Sequence, residues 1–135
     1  MTLDDSTAAL GGVVLLTVAT IAFGGTFLLR VLGGSPPTNE LQRTFFRAGH
    51  AHAGVLVMLG LIVALFVDLA DVGSLATGLS RLVLLAAILM PAGFFLSVVG
   101  ENPQRPNGLR ALIWAGAGCL VVGVIASGIG LIAAA

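Results

Sequence analysis

The stretch FFRAGHAHAGVL contains both histidines of this 135-residue chain, His50 and His52, shortly after Arg47. Imidazole is the side chain that changes charge near neutral pH, and it is also the commonest metal ligand. An arginine nearby adds a fixed positive charge that recognises carboxylate and phosphate groups. The stretch therefore indicates metal or haem ligation, anion binding or proton transfer.

Helical spacing separates the two histidines. Successive residues of an α-helix turn by about 100°, so the side chains of His50 and His52 point about 200° apart. Two rings placed in this way do not readily share one metal ion, and a tetrahedral zinc site would need further ligands that the chain does not offer nearby. Arg43, Arg47 and His50 fall on one helix face. We expect each histidine to face a different neighbouring helix.

The composition identifies the elements that must position these residues. Hydrophobic residues make up 58% of the chain and charged residues 9%, whereas soluble domains carry roughly 25% charged residues. We therefore predict an all-α polytopic membrane protein whose partner is membrane lipid. Six acidic residues balance six basic ones, so no basic surface indicates a nucleic-acid partner.

Four apolar stretches each reach about the 20 residues that a helix needs to cross a membrane. They are predicted at about residues 8–32, 45–70, 80–99 and 109–134, forming one four-transmembrane-helix bundle in a single domain. Segments rich in Pro, Gly and Asn follow the first and third stretches, as is typical of water-exposed loops. Asp4 and Asp5 stand where a secretory signal has positive charges, so the first stretch is predicted to be a permanent span.

The distribution of arginine predicts the orientation. Five of the six arginines flank the two Pro-rich loops, and Arg81 alone lies on the other side. The positive-inside rule then places both loops in the cytoplasm and both termini outside the cell membrane. A second helix that enters the membrane near Phe45 holds His50 about 9 Å along its length, within the cytoplasmic half. Glu101 ends the third span at the same level.

Ionisable residues at membrane depth are rare and usually functional. We therefore predict a site at the cytoplasmic ends of the second and third helices for an anionic ligand, a transported small molecule or ion, or protons. The predicted site consists of Arg43, Arg47, His50, His52 and Glu101. The alternative is a structural or accessory subunit whose histidines only bond to backbone carbonyls and fix helix packing. Catalysis is poorly supported, because no nucleophile is paired with a base.

The His-Ala-His motif, followed by an apolar run with Leu56 and Gly60, resembles the His-x-His helix of the catalytic subunit of haem-copper oxidases. In that family one histidine binds the low-spin haem and the other binds the oxygen-reactive haem. The chain has no counterpart of the copper-binding histidines or of the other haem ligand, so oxidase activity is not implied. The resemblance implies that His50 or His52 is an axial ligand of a b-type haem. The second ligand would come from another subunit, or from Met58 or Met90.

A broader pattern joins FFRAGHAHAGVL to GFFLSVVGENPQRPNGL at the end of the third span. Together these stretches are similar to small four-span membrane proteins of bacteria and archaea that are uncharacterised. The resemblance covers most of the chain. It supports the four-helix architecture and implies no activity.

Small residues in the fourth span form a seam that recurs at alternating steps of three and four. The seam consists of Gly116, Cys119, Gly123, Ala126 and Gly130. Helices in lipid associate through such residues because backbones can approach closely there. The neighbour can lie in the same chain or in a second copy, and we predict a homo-oligomer formed through this seam.

Overall fold

Helices account for most of residues 3–135, which are the residues that the computed structural model describes. They are α1 (Asp5–Leu32), α2 (Glu40–Leu69), α3 (Ser74–Ser80), α4 (Leu82–Leu96) and α5 (Ala111–Ala134), with a 3-10 turn at Gly108–Arg110 before α5. Four helical segments of this range are long and apolar enough to cross a membrane: Asp5–Leu32, Glu40–Leu69, Ser74–Leu96 and Gly108–Ala134. No strand occurs in residues 3–135. The all-α, four-span architecture predicted from hydropathy is confirmed to this extent.

The second span starts at Glu40, five residues before its predicted start, because a capping box begins the helix there. The Asn39 side chain accepts a hydrogen bond from the Gln42 backbone N–H at 2.9 Å. In return, the Gln42 side-chain oxygen accepts one from the Asn39 N–H at 3.2 Å. These reciprocal bonds satisfy backbone groups at the start of the helix. A count of apolar residues does not detect a polar first turn. This explains why the predicted start of the helix lies five residues too late.

The third span starts at Ser74 rather than near residue 80, and a turn at Arg81 divides it into α3 and α4. Polar residues can lie in this apolar segment because their hydroxyls bond back to backbone carbonyls. Thr77 donates to the carbonyl oxygen of Val72 at 3.2 Å, and Ser80 donates to that of Thr77 at 2.7 Å. Such local bonds let hydroxyl residues lie in an apolar span without unpaired groups.

The helices form an arc in which α2 and α4 are central, with α1 beside α2 and α5 beside α4. Leu56, Val57, Ala87 and Met90 form the buried core between the central helices. Within residues 3–135, the backbone of α1 closely approaches that of no helix except α2. The two outer helices therefore have different surroundings.

The seam of α5 packs within the same chain. A Cβ atom added at Gly116 would lie 2.5 Å from Met90 Cγ, and one added at Gly123 would lie 2.8 Å from Val83 Cγ2. Gly130 faces α3. The neighbour left open by the sequence is thus α3 and α4 of the same chain, which removes the seam as the reason to predict an oligomer. Self-association itself stays a prediction.

The N-terminal helix is fastened near both of its ends. At the end of the bundle that carries loops 33–39 and 97–107, called here the Pro-rich end, the Phe27 ring meets Phe46 edge-on with centroids 5.5 Å apart. Phe46 in turn stacks on Phe95 of α4. At the opposite end, the Thr7 hydroxyl donates to the Asp68 carboxylate at 2.8 Å. Between these contacts, two adjacent cavities of about 500 and 430 Å³ separate α1 from α4.

Candidate functional site

The two histidines of α2 face different helices, as helical spacing predicts. His50 lies against α1, where Cβ atoms added at Gly24 and Gly25 would each lie 3.6 Å from one of its ring nitrogens. His52 lies against α4, with its ring centroid 4.9 Å from that of Phe94. The separation inferred from the sequence is confirmed. It also means that the two imidazoles belong to two different environments.

His50 is half-buried between two apolar helices. Gly24 and Gly25 present only backbone to its ring, so α1 approaches the imidazole without a side chain between them. In the described part of the chain, neither ring nitrogen of His50 makes a hydrogen bond. Neutral imidazole carries one donor and one acceptor. Both are therefore left without a protein partner in residues 3–135.

His52 is held by a hydrogen bond to its own helix. Its Nδ1 atom lies 2.8 Å from the carbonyl oxygen of Ala48, one turn earlier. A carbonyl oxygen can only accept, so we assign the proton to Nδ1 as the donor. In the neutral ring this leaves Nε2 as an acceptor, with no hydrogen bond from residues 3–135. The bond to Ala48 and the contact with Phe94 together fix the orientation of the ring.

The charged residues of the predicted site lie nearer the Pro-rich end than the histidines do. Arg43 donates to the Thr38 carbonyl oxygen at 2.9 Å and so bonds to the loop that precedes α2. Glu101 lines an open cavity of about 390 Å³ that Thr38 and Gln42 also line. Neither histidine is among the residues described as lining this cavity. Arg47 is exposed. The structure thus places Arg43 and Glu101 around Thr38, and the two imidazoles elsewhere along α2.

A hydrogen-bond network at the Pro-rich end was not predicted from the sequence. Gln42 is buried, and its side-chain nitrogen donates to the carbonyl oxygens of Val98 and Gly100, both at 3.1 Å. The Asn39 side chain donates to the Pro103 carbonyl oxygen at 2.7 Å. These bonds fix loop 97–107 against the start of α2. The spacing of Asn39 and Gln42 is a capping-box signal that the sequence already contains.

Metal ligation by clustered side chains finds no support in the described residues. Residues 3–135 contain no group of three or more His, Cys, Asp or Glu side chains placed to hold a metal ion. Cys119 is free and half-buried in α5. Comparisons with models of known protein families, with curated proteins and with solved structures find no match. The functional argument therefore rests on the geometry of the two imidazoles.

Proposed function

We propose that the protein is a multi-pass protein of the cell membrane that binds a small ligand through His50, at the interface of α1 and α2. The observation that carries this proposal is an imidazole between two apolar helices with no hydrogen bond from residues 3–135. Hydrocarbon offers no water to replace that partner. A polar group that lacks a hydrogen bond in an apolar medium costs about 1–3 kcal/mol. A ligand that bonds to His50 offsets this cost.

The depth of His50 supports the same proposal. His50 lies ten residues after Glu40, the first residue of α2, or about 15 Å along the helix axis. The 30 residues of α2 span about 45 Å, which exceeds a hydrocarbon core of about 30 Å. The first turns of α2 then lie among the lipid head groups. Arg43 and the exposed Arg47 reach those head groups, whereas His50 lies inside the hydrocarbon.

Orientation is part of the proposal, with the Pro-rich end in the cytoplasm and the termini outside. It can be tested by labelling single cysteines in a Cys119→Ala background. We expect Gln104→Cys, in loop 97–107, to react with a membrane-impermeant maleimide only after cells are permeabilised. Asp5→Cys, at the opposite end, should react in intact cells. The reverse pattern would show that the topology is inverted.

The role of His50 can be tested by thermal unfolding in nanodiscs of purified phospholipid. We expect the neutral-lipid fraction of the cells that make the protein to raise its melting temperature. A ligand at 100 times its Kd stabilises by about 2.7 kcal/mol, or several degrees for a domain of this size. His50→Ala should abolish the rise, and the matched variant His52→Ala should keep it. If His50→Ala keeps the full rise, the proposal is wrong; if no extract acts on any variant, the histidines only fix packing.

A second candidate function is haem binding at His52. The bond from Nδ1 to Ala48 orients the ring and leaves Nε2 as the ligating atom, which is the usual arrangement of metal-bound histidine. Met90 is buried against Gly116 of α5 and does not suit the second axial position. Met58 lies on the same helix as His52, six residues later, so the two cannot bind opposite faces of one haem. The second ligand would therefore come from another subunit.

A visible spectrum of purified protein tests this second candidate directly. Haem at His52 gives a Soret band that disappears in His52→Ala and persists in His50→Ala. The opposite dependence would assign the haem to His50. Colourless protein that takes up no added haemin would end the haem hypothesis and leave the ligand proposal at His50 unaffected.

A further inference from the structure

The space between α1 and α4 is an apolar groove with α2 as its floor. It consists of the two adjacent cavities of about 500 and 430 Å³, which share Leu10 and Leu84 in their walls. Thr17 and Thr20 also line the groove. Their hydroxyls donate to backbone carbonyls of α1 at 2.6 Å each, and so have their partners within the helix. The groove therefore suits hydrocarbon.

Two glycines of α1 widen this groove. Gly11 and Gly12 line the cavity of about 430 Å³, and a Cβ atom added at either would meet no atom within 4 Å. Glycine at a helix contact leaves no such room, as at Gly116, where the added Cβ would lie 2.5 Å from Met90 Cγ. The pair in α1 borders open space instead of a neighbouring helix.

The groove ends one helical turn from His50. Ile21 of α1 and Ala53 of α2 line the cavity of about 500 Å³. His50 precedes Ala53 by three residues, and its contact Gly24 follows Ile21 by three. Gly12 and Gly24 are about 18 Å apart along the helix. A long apolar groove thus leads to an imidazole that has no hydrogen bond within residues 3–135.

We infer that this groove binds the tail of a lipid quinone. A carbonyl oxygen of the quinone head accepts a hydrogen bond from His50. This inference rests on the proposed role of His50 and names the class of its ligand. A quinone head is uncharged and needs only such a donor. It can therefore lie at the depth of His50, where a carboxylate or phosphate would be costly.

The size of the groove favours a hydrocarbon tail over a helix of a partner protein. A helix is about 10 Å across. The groove leaves no space of that width at its floor, because Val14 and Ile21 of α1 line it and also pack against the core cluster of Leu56, Val57, Ala87 and Met90. A single isoprenoid chain is slender enough to fit, and a chain of about four isoprene units is long enough to reach from His50 to Gly12.

Equilibrium binding in nanodiscs, corrected with empty discs, tests the inference with two quinones that share a head group. One has four isoprene units in its tail and the other has one. We expect His50→Ala to weaken binding of both at least tenfold. Gly12→Leu should weaken binding of the long-tailed quinone at least tenfold and leave the short-tailed one unchanged. Gly118→Leu is the matched control. An added Cβ atom there also meets nothing within 4 Å, but Gly118 is an exposed residue of α5, outside the groove.

The possible outcomes test the site of the tail and the site of the head group separately. Equal binding of the long-tailed quinone to wild type and Gly12→Leu would overturn the groove as its site. If palmitate displaces the quinone at equal concentration, the site accepts a charged head group, and the inferred preference for an uncharged head is wrong. If the lipid extract acts through His50 and neither quinone binds, the proposed function stands and this inference fails.

Discussion

The two outer helices of the bundle use glycine in opposite ways. In α5, Gly116 and Gly123 bring the backbone against α4, where no Cβ atom fits. In α1, Gly11 and Gly12 border a groove in which an added Cβ atom meets nothing within 4 Å. Small residues in a membrane helix are usually interpreted as contact sites. In this protein the same residue type also borders an open groove, and only the tertiary arrangement distinguishes the two surroundings.

The largest expected effect comes from Gly116→Leu, which tests the close packing of α5 against α4. Its side chain would overlap Met90, including the backbone nitrogen 2.9 Å from the added Cβ. Overpacking typically costs about 1–3 kcal/mol, and contact with backbone places this variant at the upper end. Unfolding in detergent should show that loss. Gly12→Leu on the open side should unfold no more easily than wild type, and equal destabilisation of the two would remove the distinction.

A smaller loss is expected for Gln42→Ala, which asks whether loop 97–107 belongs to the well-packed side. The change removes two donated hydrogen bonds and leaves the carbonyls of Val98 and Gly100 without them. We expect the free energy of unfolding to fall by about 2 kcal/mol. Gln104→Ala, at an exposed position in the loop, should change it by less than about 0.5 kcal/mol. Similar values for the two variants would contradict a clamping role for Gln42.

Thr7→Val should have a local effect, because it releases the end of α1 that lies far from the Pro-rich loops. It removes the hydrogen bond from the Thr7 hydroxyl to Asp68 while keeping the shape of the side chain. The expected cost is about 1 kcal/mol. Hydrogen exchange should become faster in the first turns of α1 and stay unchanged in α5. Unchanged exchange in α1 would mean that other contacts hold this end.

The smallest effect concerns acid. The hydroxyl and backbone N–H of Ser6 donate to Asp4 and hold the pKa of its carboxyl below the ordinary value of 3.8. The charged form therefore stabilises the folded state above pH 3.8, and this contribution disappears as the pH falls through the lowered pKa. Asp4→Asn should flatten the loss of melting temperature below pH 3.8. If the melting temperature of Asp4→Asn falls below pH 3.8 as steeply as that of wild type, the Asp4 carboxylate does not stabilise the folded state in this way.

Features that depend on local spacing could be predicted from the sequence. Hydropathy located the four spans, and the helical repeat separated His50 from His52. The start of α2 at Glu40 was missed because hydrogen bonds, and not apolar residues, define its first turn.

The surroundings of Glu101 could not be predicted. Depth along a span places a residue at one level of the bundle, but it does not give the residue's lateral position. That position is set by a loop whose carbonyls bond to Gln42. The groove could not be predicted either, since it depends on how α1 and α4 are placed relative to each other.

Fastening α1 near both ends limits how it can move. The Phe27–Phe46 contact holds one end and the bond from Thr7 to Asp68 holds the other, with nineteen residues between Thr7 and Phe27. A helix held in this way changes its distance from α4 by bowing in the middle, and it does not swing away as a rigid rod. Under the quinone proposal, the tail then enters the groove from the side, between the two anchors of α1.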